Sequence, residues 1–315
     1  MEGIVLTVHS GIKESSKRRR HFLAKKTEYF WALTFLLPTL LALIVLRITP
    51  MISAIYSSFF IAYPGGIRPA IFSGLENYRT VLSDSDFIAT VERTFLFNLV
   101  INPLQISLSL LVSVLMVQRI RFEGLWRTLI FIPVLIPIVG SSITWQAILQ
   151  PDGPFNSLLV TLGLKPQLFL NSPQQSLQSI TLIASWIGIG YWMMFLIAGL
   201  RSVPSEIYEA AEIDRAGPIR VFFKITLPLI KRQLLFVLVA DIVANFVLFA
   251  PIQLLTAGGP ESSTTLLIFD AYRTTYGYGS RNLGATKVVI LSIIMICFVA
   301  LQFSFLREKK VKEIE

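Results

Sequence analysis

Six long apolar stretches run through the chain and restrict the folds open to it. They cover roughly 29–56, 94–117, 128–149, 180–200, 233–255 and 285–306. A helix needs about 20 predominantly apolar residues to cross a bilayer, and each stretch is close to or above that length. Only 15% of the residues are charged, whereas soluble domains carry about 25%. The stretches therefore predict an all-α polytopic membrane protein with about six transmembrane helices.

The first apolar stretch follows Arg19-Arg20, a pair that also occurs in twin-arginine export signals. A cleaved signal has an apolar core of about 7–15 residues, followed by a small-residue cleavage pattern. The stretch at 29–56 is longer, and no such pattern follows it. We therefore expect a retained first transmembrane helix.

The net charge of +9 is distributed unevenly between the loops. Of the 28 Lys and Arg residues, 20 lie before the first stretch, after the second, after the fourth or after the sixth. Cytoplasmic loops carry an excess of Lys and Arg, so the basic charge indicates topology rather than a nucleic-acid surface. We expect a bacterial inner-membrane protein with both termini in the cytoplasm. Its parts would be a basic cytoplasmic tail at 1–28, a transmembrane domain at 29–306 with a cytoplasmic loop at 202–232, and a second tail at 307–315.

The residues needed for common catalytic and metal sites are scarce. The chain has one cysteine, Cys297, and its two histidines, His9 and His21, both precede the first stretch. It has neither a GxxxxGK[ST] phosphate loop nor a glycine-rich dinucleotide fingerprint. We therefore predict no catalytic, cofactor-binding or metal-binding residues, and we expect any ATP hydrolysis to occur on another chain.

The loop at 202–232 contains a short helix pattern outside the membrane. Pro204 suits the first turn of a helix, and Glu206 complements the positive end of the helix dipole. Gly217-Pro218 is a typical helix stop. We therefore predict a helix of about three turns between these signals.

The composition of this helix favours a protein partner over a lipid surface. Helices that lie on lipid usually carry Lys and Arg on their polar face, but this one is acidic. Two alanines on one face would let another surface approach closely. The face predicted from the i, i+3, i+4, i+7 spacing consists of Ile207, Ala210, Ala211 and Asp214.

The loop resembles the EAA loop of permease subunits in binding-protein-dependent ABC importers. Glu209-Ala210-Ala211 and Leu227-Pro228 match the motif at its usual spacing, and Arg215 stands where the family has glycine. We expect Gly217 to supply the bend instead. The resemblance implies a coupling helix at about 204–217, seated on an ATPase subunit, with Glu206, Glu209, Ala210, Ala211, Asp214, Arg215 and Gly217 as the coupling residues.

Further segments resemble the carbohydrate-type branch of that family, the maltose and glycerol-phosphate type of inner-membrane component. They are 72–78, the prolines Pro133 and Pro137 in the third stretch, 200–204 and 255–260. The resemblance implies a fold like that of type I ABC importer permeases. It also implies a second homologous permease, two ATPase subunits that use ATP and Mg, an extracytoplasmic solute-binding protein, and surrounding membrane lipid.

Polar and aromatic side chains within the apolar stretches suggest a substrate path. Polar groups are costly in lipid and usually face a bundle interior or an aqueous path. Hydrogen-bonding groups beside aromatic rings suit a neutral sugar, although amides also join helices and Trp or Tyr also line membrane interfaces. The candidates are Asp241, Asn245, Gln253, Asn102, Gln105, Trp145, Trp186, Tyr191 and Trp192.

The resemblance implies a subunit that imports a sugar or oligosaccharide by alternating access, and the polar and aromatic side chains fit such a solute. One alternative is an ABC permease for another solute, such as a polyol or glycerol-phosphate, although the stretches show almost no basic residues for a phosphate. A second alternative is an ion-coupled secondary transporter, which normally needs titratable groups at mid-membrane. A third is a membrane receptor or scaffold.

Overall fold

The computed structural model describes residues 31–61, 69–118 and 121–306. The predicted cytoplasmic tails, 1–28 and 307–315, lie outside these ranges. The chain separates into two compact units, with the boundary between Tyr56 and Ser57.

The described structure is mostly helical, and its one strand pairing is a two-stranded ribbon in which β1 (Phe60–Ile61) pairs antiparallel with β2 (Ile71–Phe72). In chain order the helices are α1 Trp31–Ser58, α2 Glu76–Leu82, α3 Ser85–Val117, α4 Glu123–Leu135, α5 Ile138–Ile148, α6 Pro154–Thr161, α7 Ser176–Arg201, α8 Ser205–Ile213, α9 Pro218–Val221, α10 Leu227–Leu229, α11 Lys231–Phe246, α12 Ala250–Leu255, α13 Leu267–Tyr272 and α14 Arg281–Leu306.

Five helical segments in the described ranges are long and apolar enough to cross a membrane. They are Trp31–Ser58, Ser85–Val117, Ser176–Arg201, Lys231–Leu255 and Arg281–Ser304. A bent pair, α4 with α5, makes a sixth if the two helices count as one span. The prediction of an all-α protein with about six spans is confirmed.

The third predicted span is broken rather than straight. Helices α4 and α5 meet at an angle of 96°, with Ile136 in an extended conformation (φ −80°, ψ 125°). Pro137 follows directly, and proline disfavours the helical conformation of the residue before it and has no N–H to donate. The stretch 128–149 therefore folds as two helices.

The second span begins earlier than the apolar pattern indicated. Helix α3 starts at Ser85 rather than near 94, because the Asp84 carboxylate accepts a hydrogen bond from the Asp86 N–H at 3.0 Å and caps the helix. The added turns bring Arg93 to the Thr265 carbonyl, to which it donates at 3.0 Å.

A helix in the first unit contains a wider turn. In α1 the segment Ile44–Ile48 is π-helical, and the Thr49 N–H donates to the Ile44 carbonyl five residues back. Pro50 follows this turn. A proline ring clashes with the carbonyl four residues earlier in a regular α-helix, so the wider turn accommodates Pro50 without ending α1.

Helices α4 and α7 approach each other closely in the second unit. A Cβ added to Gly190 of α7 would lie 2.3 Å from the Ile130 carbonyl oxygen of α4. Only glycine permits the two backbones to come this close. Helix α7 also packs on α3 and α12 through a buried cluster that includes Phe97, Ile101, Ile180, Ile183 and Ile252.

Candidate transport path and coupling surface

The predicted loop helix forms as α8, but it is shorter than expected. It spans Ser205–Ile213 instead of 204–217, with Pro204 at its N-cap and Glu206 in its first turn. At its end the Arg215 N–H donates to the Glu212 carbonyl at 2.9 Å, and the Ala216 N–H donates to the Ala211 carbonyl at 2.9 Å. These two bonds form a Schellman motif, which requires a left-handed residue after the helix.

Arg215 is that left-handed residue, with φ of 51°. Gly217 has φ of −65° and lies at the N-cap of α9, a conformation open to any residue. The expectation that Gly217 supplies the bend is therefore wrong. Arg215 itself adopts the conformation for which glycine is the usual choice at this position.

Helix α8 exposes its acidic side and buries one of its alanines. Glu206, Glu209, Ala210 and Asp214 are exposed, whereas Ala211 is 5% exposed. The predicted four-residue face is thus divided, because Ala211 packs within its own chain while Ala210 points outward. The surface that α8 offers to a partner is acidic.

The side of α8 that carries Tyr208 packs against its own unit. The Tyr208 hydroxyl is 3.3 Å from the Thr226 hydroxyl, which belongs to the π-helical segment Phe222–Thr226. A cavity of about 400 Å³ lies beside this contact, between α8 and the ends of α3 and α7, and its lining includes Val117, Leu200 and Glu212.

A second cavity, of about 510 Å³, lies within the helix bundle and brings five predicted path residues together. Its lining combines residues of α3, α5, α7, α11 and α12 with Leu248, which lies between α11 and α12. The predicted residues among them are Gln105, Tyr191, Trp192, Asp241 and Asn245.

Hydrogen bonds across three helices hold these polar side chains. The Asn245 Nδ2 lies 2.6 Å from the Asn102 Oδ1, 3.1 Å from the Gln105 Oε1 and 3.2 Å from the Asp241 Oδ1. The Trp192 Nε1 donates to the same Asp241 oxygen at 2.5 Å. Asn102 does not line the cavity, but its hydrogen bond helps to fix Asn245, which does.

Asp241 lines this cavity and has one oxygen without a partner. The residue is buried, with 1% of its surface exposed, and its buried Oδ2 has no hydrogen-bond partner among the described residues. Buried polar groups are normally hydrogen-bonded, so this carboxylate is a candidate contact for a donor that enters the site.

Gly188 makes room for a neighbouring side chain of this site. A Cβ at Gly188 would lie 2.7 Å from the Gln105 Nε2. The absence of a side chain there lets the Gln105 amide lie against α7 beside the cavity.

The polar network continues along α3 to the first residue of α13. The Asn102 Nδ2 donates to the Asn98 Oδ1 at 3.2 Å, and the Asn98 Nδ2 donates to the Thr94 carbonyl at 2.8 Å. The Thr94 hydroxyl accepts from the Leu267 N–H at 3.0 Å. The i, i+4 spacing of Thr94, Asn98 and Asn102 is visible in the sequence, but it did not identify Thr94 as part of the site.

Three other predicted path residues lie away from this cavity. The Trp145 and Trp186 rings pack edge to face with centroids 5.5 Å apart, and neither lines the cavity. Gln253 lines a separate cavity of about 410 Å³ with Gln146 and Asn171. The structure therefore does not unite all nine candidates in one site.

A buried ion pair near α13 was not anticipated from the sequence. The Lys287 Nζ lies 2.6 Å from the Asp270 Oδ2 and donates to the Thr274 hydroxyl at 3.0 Å. Arg273 approaches the other Asp270 oxygen at 3.6 Å. These charges join α13 to α14, and none of the three residues lines the 510 Å³ cavity.

Residues 105–312 match the model of the family described as "Binding-protein-dependent transport system inner membrane component". The chain belongs to this family. The match covers the polar residue Gln105, helix α8 and all of α11 and α12, so the resemblance found in the loop extends over most of the second unit.

Curated relatives cover nearly the whole chain. The sn-glycerol-3-phosphate transport system permease protein UgpA of Pectobacterium atrosepticum is 32% identical over 278 residues, which span 87% of this chain and 92% of the relative. The arabinooligosaccharides transport system permease protein AraP of Bacillus subtilis is 29% identical and covers 93% of each chain. The sulfoquinovosyl glycerol transport system permease protein SmoG of Agrobacterium fabrum is 29% identical and covers 88% of this chain and 91% of the relative.

Solved structures share the fold. A chain of a bacterial alginate ABC transporter, crystallised with an alginate pentasaccharide-bound periplasmic protein, superposes with a TM-score of 0.79 at 20% identity, covering 90% of this chain and 96% of that one. A chain of the MetNI methionine ABC transporter superposes with a TM-score of 0.53 at 18% identity, covering 74% and 97%. The expected ABC importer permease fold is thereby confirmed.

Proposed function

We propose that the chain is the membrane-spanning subunit of an ATP-driven importer and moves a neutral carbohydrate by alternating access. The observation that carries the proposal is the 510 Å³ cavity, whose lining includes Asp241, a buried residue with one oxygen that has no hydrogen-bond partner among the described residues. The subunit would assemble with a second homologous permease, two ATPase subunits that use ATP and Mg, and an extracytoplasmic binding protein. Both termini would lie in the cytoplasm.

The lining of the cavity suits a polyhydroxylated ligand. Its volume falls within the roughly 300–1,000 Å³ typical of small-molecule sites. Asp241 offers an acceptor, the Gln105 amide offers a donor, and the rings of Tyr191 and Trp192 pack edge to face at 4.7 Å beside them. Sugar hydroxyls both donate and accept, and the apolar faces of sugar rings pack on aromatic side chains.

The same cavity disfavours a phosphate ester, although the UgpA relatives are named for glycerol-3-phosphate. A carboxylate is acceptor-only, and so is a fully ionised phosphate, so the two repel and form no hydrogen bond. The charged side chains Lys287 and Arg273 lie on Asp270 instead of in the cavity wall. The names of the AraP and SmoG relatives fit the carbohydrate alternative.

The acidic exposed side of α8 supports docking on a separate ATPase. Glu206 and Glu209 project from a helix that is fixed to its own unit through Tyr208. Membership in a binding-protein-dependent transport family argues against an ion-coupled secondary transporter.

Transport by the reconstituted complex tests this function. The chain would be purified with its partner subunits, placed in proteoliposomes with the binding protein, and supplied with radiolabelled arabinotriose, maltotriose or glycerol-3-phosphate. We expect ATP-dependent uptake of a neutral sugar and none of glycerol-3-phosphate. Uptake driven by a proton gradient without ATP, or selective uptake of glycerol-3-phosphate, would contradict the proposal.

Asp241→Asn tests the role of the unpartnered oxygen. Asparagine keeps the volume and the acceptor for Trp192, but it places an N–H₂ donor where that oxygen lies. We expect uptake to fall by about tenfold or more, since a buried polar group left unsatisfied costs about 1–3 kcal/mol. Asp152→Asn, which changes an exposed carboxylate in the segment before α6, should leave uptake unchanged. Normal uptake by Asp241→Asn would remove Asp241 from the substrate path.

A further inference from the structure

One carboxylate connects three helix ends beside α8. The Glu123 Oε1, in the first turn of α4, accepts a hydrogen bond from Arg201 Nη2 at 2.9 Å and a second from Arg127 Nη2. The Arg127 Nη2 also donates to the Met116 carbonyl near the end of α3 at 3.2 Å. Glu123 thereby holds the end of α7, the start of α4 and, through Arg127, the end of α3.

Arg201 lies directly before the coupling helix. It is the last residue of α7, and α8 begins at Ser205. The short connection is closed by hydrogen bonds, since the Ser202 N–H and hydroxyl both donate to the Gly199 carbonyl at 3.1 and 2.7 Å. A tight connection of three residues transmits a displacement of α8 to Arg201 instead of absorbing it.

The other end of α4 lies three residues before a residue of the cavity wall. Helix α4 ends at Leu135, the break follows at Ile136-Pro137, and Ile138, the first residue of α5, lines the 510 Å³ cavity. In the inference below, a shift of α4 reaches this wall across Ile136 and Pro137.

We propose that Glu123 is a positioning residue that transmits movement of α8 to α4, and through α4 to the cavity wall at Ile138. The inference rests on the proposed function, in which an ATPase displaces α8. Rigid elements joined by specific contacts carry coupling between distant sites. Among the described residues, the Glu123–Arg201 ion pair links the helix preceding α8 to the broken span.

Because both side chains of the ion pair are partly exposed, the effect of the pair on transmitted movement can be measured apart from any effect on folding. The Arg201 side chain is 54% exposed and that of Glu123 is 33% exposed. Ion pairs this exposed contribute little to stability. Loss of the pair should therefore leave the melting temperature unchanged and alter only the transmitted movement.

The test measures that movement with two spin labels in the complete complex with its ATPase subunits. In a Cys297→Ser background, labels at Leu125→Cys on α4 and Ile296→Cys on α14 report their separation. Both positions are exposed. The states compared are the nucleotide-free complex and the complex with Mg-ATP and vanadate. We expect the separation to shift between these states in the wild type, and we expect Glu123→Gln and Arg201→Gln each to lose most of that shift while ATP hydrolysis continues.

Two variants serve as controls. Arg201→Lys keeps a charge that can reach Glu123 and should retain more than half of the shift. Arg121→Gln removes a basic charge that lies over the Phe122 ring and should retain all of it.

The remaining outcomes would overturn either the inference or the proposed function. A full shift in Glu123→Gln, or no shift in a wild-type complex that hydrolyses ATP, would overturn the inference. A lowered melting temperature or loss of the ATPase subunits in Glu123→Gln would assign the residue to folding or docking and would also overturn it. If the wild-type chain associates with no ATPase, the proposed function itself fails.

Discussion

At the scale of single residues, Arg215 adopts a left-handed backbone conformation although it is not glycine. It occupies a left-handed position with φ of 51° at the end of α8, a conformation for which glycine is the usual choice. The two Schellman hydrogen bonds hold it there. A side chain in this conformation is strained by about 1–2 kcal/mol.

Arg215→Gly should relieve this strain. The larger entropy of glycine in the unfolded chain offsets part of the gain, so we expect the free energy of unfolding to rise by up to about 1 kcal/mol. Thermal unfolding in a fixed detergent and lipid mixture measures the change. Arg215→Ala removes the same side chain but keeps the strain, and it should bring no gain. Destabilisation by Arg215→Gly beyond that of Arg215→Ala would show that Arg215 is not strained.

At the scale of helices, the contact between α4 and α7 depends on one residue without a side chain. Gly190 lies against the Ile130 carbonyl, and this carbonyl belongs to the helix backbone, so it cannot move aside as a flexible side chain would. The same two helices are joined at their ends by Glu123 and Arg201. Backbone packing and the ion pair thus act on the same interface.

Gly190→Ala should force α4 and α7 apart. The added Cβ would lie 2.3 Å from the Ile130 oxygen, and overpacking of this kind costs about 1–3 kcal/mol or more. We expect a clearly lower melting temperature and reduced recovery of monodisperse protein. Gly140→Ala on α5 meets no atom within 4 Å and should be neutral or stabilising, because alanine favours helices. Equal stability of the two variants would contradict the close contact.

At the scale of the whole molecule, the structure separates two surfaces with different chemistry. One is the polar cavity inside the bundle, and the other is the exposed acidic side of α8. Glu123 and Arg201 lie between them. The proposed function places the ATPase at the acidic side of α8 and the solute at the cavity.

Under the proposed function, Glu209→Lys should release the ATPase from α8 without unfolding the chain. Glu209 is exposed, so its replacement leaves α8 intact while reversing the charge offered to the ATPase. We expect at least a tenfold loss of co-purified ATPase, about 1.4 kcal/mol of binding, with normal membrane insertion. Glu261→Lys makes the same change between α12 and α13 and should have no effect. Normal co-purification with Glu209→Lys would exclude this residue from the docking surface.

The sequence by itself determined the features that depend on local order. The length of the apolar stretches predicted the spans, and Pro204 with Glu206 predicted the start of the loop helix. The polar residues Gln105, Asp241 and Asn245 stood out because hydrogen-bonding groups are rare in apolar stretches. Each of these signals is contained within a few turns of one helix, so periodicity and composition reveal it.

The tertiary structure decided which of these residues meet. Trp192 and Asp241 are 49 positions apart, and Asn102 and Asn245 are 143 apart, so their hydrogen bonds depend on how α3, α7 and α11 pack. The same packing left Trp145, Trp186 and Gln253 outside the cavity and turned Ala211 inward. Local patterns identify candidate side chains, but contacts between helices far apart in sequence determine which of them share a site.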